Sequence, residues 1–320
     1  MNTTDLPNGL DPMAYLPPAG AEDSEISTYL YIASFGALMW DWMTSMPDEY
    51  AILSTGRMNV SKVVYVLSRV STTAFCVFSV IFQVAPLSDC QRAIRAIGAL
   101  SIPALTFNSL LFALRARAVY GNSWKMNCIF AFSWICVVGS GFSVPWSLDA
   151  VHIGPTKRCV GTSVSSELAI SIITNAVNNT FLFFAMSYRI ISYSIRGDSW
   201  NSRAHSFFRG DGLPTVAKDL LQSGQFCYFV TILMSITQAC MAFHPTYKAV
   251  LNIPGVALEN AMTCRVHRSV ILGLMTKPTL RSPDTPTPVL FTTGFTATEL
   301  TTGLESKNEF HRRDAVEGGV

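Results

Sequence analysis

The chain has 320 residues, 49% of them hydrophobic and only 14% charged, with a formal net charge of +2. A soluble domain carries about 25% charged residues, so a water-soluble enzyme core fits poorly. So small a net charge offers no footing for nucleic acid. Mean hydropathy is +0.33, and the apolar residues fall in long blocks separated by short polar joints. That is the pattern of an all-α polytopic protein whose solvent is a lipid bilayer.

Residues 1–25 are acidic and Pro-rich and contain no Lys or Arg. They lack the basic n-region and apolar h-region of a cleaved signal, so the first apolar block is expected to act as a signal anchor. A helix crossing ~30 Å of hydrocarbon needs roughly 20 mostly apolar residues. Seven stretches approach that length: about 26–42, 63–85, 94–114, 126–148, 167–190, 220–243 and 245–264. The last holds Lys248, which must snorkel to the headgroups, and Pro254, which interrupts it. Residues 26–276 thus read as a seven-helix membrane domain. Residues 277–320, rich in Thr, Pro, Gly and charge, read as a disordered cytosolic tail.

Basic residues set the orientation. With the N-terminus outside, the inner joints hold Arg57, Lys62, Arg115, Arg117, Lys125, Arg196, Arg203, Arg209 and Lys218, with Arg189 at the membrane edge, and the last span is followed by Arg265, Arg268, Lys277 and Arg281. The outer joints hold Arg92, Arg95, Lys157, Arg158 and Lys248. The C-terminus is then cytosolic. With no retention signal in view, the plasma membrane is the expected location.

Two of the eight cysteines, Cys90 and Cys159, fall in proposed outer joints. The outside is oxidising, so a bridge between them is chemically allowed; the alternative is two unpaired loop thiols. Cys264 stands at the inner membrane edge beside Arg265, as palmitoylated cysteines do, or is a plain buried thiol. An Asn-x-Thr sequon at Asn2 lies on the outer side, where glycosylation is open to it.

Ionisable groups in a bilayer are expensive and face a partner or a cavity. Asp41, Arg69, Asn108, Glu259 and Asn260 project to similar depth near the inner leaflet, and Arg69 is expected to pair with Asp41, Glu259 or both. Such a cluster serves as a polar clamp or as a moving switch. Asn175 and Asn179, four apart on one helix face, and Gln225 on the next span either bond between helices or line a ligand cavity. Gly139 and Gly141 with Ser140 and Ser143 are expected to let the fourth span pack closely on a neighbour. The five histidines show no metal-ligand spacing, and no nucleotide-binding or hydrolase motif occurs. Neither a metal, a cofactor nor an enzymatic activity is therefore expected.

The stretch YLYIASFGALMWDWMTSMPDEYAIL, followed by SKVVYVLSR, carries a pattern of Asp41, Trp42, Thr44, Glu49, Lys62 and Arg69. Over residues 29–74 this resembles the opening domain of a group of uncharacterised seven-helix membrane proteins of basidiomycete fungi, a domain of unknown function. The runs ALRARAVYG and ENAMTCRVHR look similar too, while Arg57-Met58-Asn59 and Val70 depart from the pattern. The resemblance implies a seven-helix fold and no particular activity.

Two functional classes follow. One is a receptor-like sensor, taking a small extracellular ligand and a cytosolic signalling partner. The other is a transporter or channel for a small solute, using the intramembrane charges and amides as a path. Span three ends in Arg115-Ala116-Arg117 and span seven holds Asn252-Ile253-Pro254, so the receptor likeness is one of architecture alone.

Overall fold

A computed structural model describes residues 15–54, 58–121, 123–164, 166–194, 215–243 and 250–276. Among these the chain forms seven long helices: α1 (Pro18–Ser54), α2 (Val60–Val84), α3 (Cys90–Tyr120), α4 (Trp124–Gly141), α5 (Ser166–Ser194), α6 (Thr215–Met241) and α7 (Asn252–Thr276). A single 3₁₀ turn, Val144–Trp146, and an antiparallel hairpin, β1 (Leu148–His152) with β2 (Cys159–Val164), join α4 to α5. All lie within one unit, Met1–Arg281.

Each helix packs on the next described helix in sequence, and α7 closes the ring on α1 and α2. The third helix also touches α5, α7 and the hairpin, so it forms the axis of the bundle. Its start is fixed by Asp89, whose carboxylate accepts from the Arg92 amide at 3.0 Å. Its end is fixed by Gly121, whose φ of 65° is open to glycine at little cost. Cys90, at the start of α3, is joined to Cys159 of β2 by a disulfide with Cα atoms 5.5 Å apart. The bridge anchors the hairpin to the axis.

Polarity runs opposite to that of a soluble bundle. Tyr29, Ile32, Trp40, Met43 and Met46 of α1 face outward, while Ser24, Ser27 and Ser45 of the same helix are buried. On α5 the exposed residues include Ile170, Val177 and Phe184, and the buried ones Ser171, Asn175, Asn178 and Asn179. Small and polar residues inside with large apolar residues outside is the arrangement lipid favours. Among the described residues four helices are long and apolar enough to cross a membrane: Val60–Val84, Cys90–Tyr120, Trp124–Trp146 and Glu167–Arg189. The chain is therefore a helical integral membrane protein.

Several expected boundaries shift. The first helix continues past residue 42, through Pro47, to Ser54. Pro47 removes one backbone hydrogen bond, but Glu49 ties the two sides of it together by accepting from the Trp42 indole at 2.9 Å and the Ser45 hydroxyl at 3.1 Å. The last helix begins at Asn252, not 245, and runs to Thr276. Pro254 thus sits in the first turn, where no helical N–H is needed, and interrupts nothing. The fourth helix stops at Gly141. Neither Gly139 nor Gly141 has a neighbour within 4 Å of where a Cβ would stand, so they make no close helix contact. A glycine held tightly against backbone is Gly98 of α3, whose added Cβ would lie 2.7 Å from the Pro145 Cα.

Candidate functional site

The bundle has two ends. At the hairpin end lie the starts of α1, α3, α5 and α7. At the other lie the end of α1, the start of α2 and the end of α7, and there four charges meet. Arg69 lies 2.8 Å from Asp41 and 3.3 Å from Glu49, and Arg268 lies 3.4 Å from Asp41 and 3.6 Å from Glu49. Two cations and two carboxylates give a neutral quartet. Tyr65 donates to Glu49 at 2.7 Å and accepts from Arg268 at 3.3 Å. The Arg69 side chain is only 2% exposed, so its charge is tolerated there through these partners and not through water. His267 stacks on Tyr65 at 5.3 Å and meets Ser61 at 3.5 Å.

One turn further into the bundle the contacts become neutral. Asn260 of α7 donates to Ser68 and to Asn108, both at 2.8 Å, and Asn108 donates to Thr72 at 3.4 Å. Ser68 in turn donates to Asn108. This network joins α2, α3 and α7.

Glu259 does not pair with Arg69. It precedes Asn260 by one residue, about 100° around the helix, and so points at α5 while Asn260 points at α2 and α3. Asn175 donates to it at 3.0 Å, and Asn179 faces the same carboxyl. Ser109 of α3 extends the contact by donating to Asn175 at 3.4 Å. Among the described residues Glu259 makes no ion pair, although it is 6% exposed.

At the hairpin end a cavity of about 140 Å³ opens between α1, α2, α3, α7 and the hairpin. Asp23, Tyr31, Phe75, Phe82 and Asp149 are among its walls. Ser101, Val144, Leu168 and Asn252 also line a second space of about 20 Å³ that reaches Asn175. Buried polar groups therefore stand at successive depths between the cavity and the quartet: Asn175 with Glu259 on the α5 side, and the amide network on the α2 and α3 side.

Residues 29–74 match a family of unknown function, DUF6533. The DUF6533 segment covers most of α1 and the first part of α2. It holds Asp41, Glu49 and Arg69, and also Ser45, Tyr65 and Ser68. Three of its charged residues, Asp41, Glu49 and Arg69, are thus the near side of the quartet, and Arg268 of α7 completes it from outside the segment. No curated protein matches the chain.

Of the residues singled out from the sequence, Asp41 and Arg69 meet directly, and Asn108 and Asn260 meet each other. Glu259 joins Asn175 and Asn179 instead. Cys264 is fully buried against Tyr65 and Leu111. A thiol so enclosed offers no atom for acylation, and the edge position inferred from Arg265 is overturned by the continuation of α7. Asn2 and the Gln225 side chain lie outside the described residues. Cys90, His152 and Cys159 come together with ligand atoms within 4.8 Å, but the two sulfurs are bonded to each other and carry no thiolate for a metal. Sequence reasoning left out Glu49, Arg268, Tyr65 and Asp23 as site residues.

Proposed function

We propose that the chain is a seven-helix sensor of the plasma membrane, with the hairpin end outside and the quartet end facing the cytosol. A small ligand enters the cavity, and the response appears at the inner ends of α1, α2 and α7. The observation that carries this reading is that the cavity and the quartet lie at opposite ends of those same three helices, with buried polar groups at the depths between them. A binding site at one end and a charge-neutral lock at the other are the parts a two-state switch needs. Sites joined this way are coupled reciprocally.

Support for seven crossings comes from helix direction. Tyr15, just ahead of α1, packs where a Gly154 Cβ would stand, 3.1 Å away, so α1 starts at the hairpin and ends at the quartet. The seventh helix likewise starts at the cavity, with Ile253, and reaches the quartet with Arg268. Both run alongside helices apolar enough to cross. Part of their low hydropathy comes from Asp41, Glu49 and Arg268, which point inward and are paired, and a hydropathy average cannot see that.

The test uses protein depleted of cysteine apart from the disulfide, with a single reporter cysteine at Ser61 beside the quartet. In proteoliposomes, Glu49→Gln and Arg69→Gln are expected to raise labelling of that cysteine while small-solute permeability stays at background. Unchanged labelling in both variants overturns the switch, and variant-dependent flux would favour a transport path instead.

A further inference from the structure

We propose that the cavity at the hairpin end takes a small organic ammonium ion, held by Asp23 as counter-ion against the rings of Tyr31, Phe75 and Phe82. This rests on the reading of the cavity as the ligand site and names the ligand's chemistry.

Size comes first. A water needs about 10–15 Å³ of such space, so about 140 Å³ accommodates a molecule of roughly ten non-hydrogen atoms. Charge comes next. Among the described lining residues are two carboxylates, Asp23 and Asp149, and no Lys, Arg or His. Such a wall repels anions. Asp149 already accepts from Gln91 at 3.2 Å. Asp23 is different: its Oδ1 is buried without a hydrogen-bond partner, and it takes part in no ion pair among the described residues. A half-buried carboxylate with one enclosed, unsatisfied oxygen costs stability and marks a place where a cation can bind. Burial pushes the Asp23 carboxyl up from its ordinary value, as expected of an acid lacking a cation. Asp23 stands in the first turns of α1, ahead of the stretch expected to cross the membrane.

The remaining walls decide which cation. Phe75, Phe82, Ile94, Ile97 and Leu168 present mainly carbon. A metal ion needs several oxygens at close range; the wall offers hydroxyls at Ser24, Ser27, Ser79 and Ser101, but its carbon-faced residues are more numerous and give a bare ion nothing. An ammonium carried on a hydrocarbon body gains from all of them: the carboxylate pairs with its charge, the rings attract it through their faces, and the aliphatic wall buries its apolar part.

The test uses the full chain in nanodiscs, with binding followed by calorimetry and by thermal shift. The probes are phenethylammonium, its neutral counterpart phenylethyl alcohol, its anionic counterpart phenylacetate, and the smaller tetramethylammonium. Saturable binding of phenethylammonium is expected, with the alcohol about tenfold to a hundredfold weaker and phenylacetate silent. Asp23→Asn should bring the ammonium down to the level of the alcohol, Asp23→Glu should retain it, and ligand-free Asp23→Asn should melt no lower than wild type. Equal binding of ammonium and alcohol overturns the proposal. So does full binding by Asp23→Asn, or no binding of either ammonium to protein that melts cooperatively. The Ser61 reporter separates the two readings. Ammonium binding without any change in its labelling leaves this site standing and overturns the sensor. A labelling change driven only by the neutral or anionic probe does the reverse.

Discussion

Arg69 holds its place through two carboxylates and a serine, with the Tyr65 ring 5.9 Å from its guanidinium carbon. Truncating one member of a buried ion pair strands the others, at about 3–5 kcal/mol. Arg69→Ala leaves Asp41 and Glu49 with Arg268 alone and is expected to cost that much, read as a large drop in melting temperature of the solubilised protein. Glu259→Gln is expected to cost no more than about 1 kcal/mol, because the new amide still offers an oxygen to Asn175. Equal losses in the two variants would mean that Glu259 carries a charge partner after all. The Arg69–Asp41 pair was legible because a lone arginine in an apolar helix must find an anion at its own depth. Glu49 and Arg268 left a quieter trace. Asp41, Ser45 and Glu49 repeat every four residues, as do Asn260, Cys264 and Arg268, and each set shares one helix face. Pro47 and the assumed end of span seven hid those faces by suggesting that the helices had already stopped.

Helix α3 runs about one turn earlier and nearly two turns later than the apolar run alone. Helix α2 and the start of α5 were readable to within a turn, since each is an apolar run bounded by polar residues. Helices α1 and α7 were not, because their ends depend on tertiary partners: Glu49 reaching back to Trp42 and forward to Tyr65, Arg268 reaching into the quartet. The hairpin was unread for a related reason. Its strands hold only five and six residues, and Gln91 of α3 donates to the Leu148 carbonyl and accepts from the Ala150 amide; no local pattern announces contacts made with a distant helix. Close packing also fell in a different place. At Gly98 a methyl would meet the backbone of Pro145 at 2.7 Å, and backbone cannot rotate aside as a side chain can. Gly98→Ala is therefore expected to push the 3₁₀ turn off α3 at about 1–3 kcal/mol, with Gly139→Ala as the neutral control. Equal melting of the two variants would show that the turn yields freely.

Across the whole molecule, the direction of each helix makes a commitment that hydropathy alone does not. Seven helices alternating between two ends put the start of α1 and the hairpin on one side, and the α3–α4 joint and the end of α7 on the other. Four apolar helices alone would place the hairpin and the α3–α4 joint in the same way but leave α1, α6 and α7 undecided. The discriminating positions are therefore the outer termini of the bundle. Single cysteines at Pro17 and Lys157 are expected to react with an impermeant maleimide in intact cells, while Ser123→Cys and a tag after Val320 become reachable only after permeabilisation. Labelling of Lys157→Cys with protection of Pro17→Cys would keep α1 from crossing. That would be incompatible with Tyr15 packing on Gly154. It would also leave Arg69 of α2 without the span that brings Asp41 and Glu49 to the quartet, so the sensor reading would fall with it.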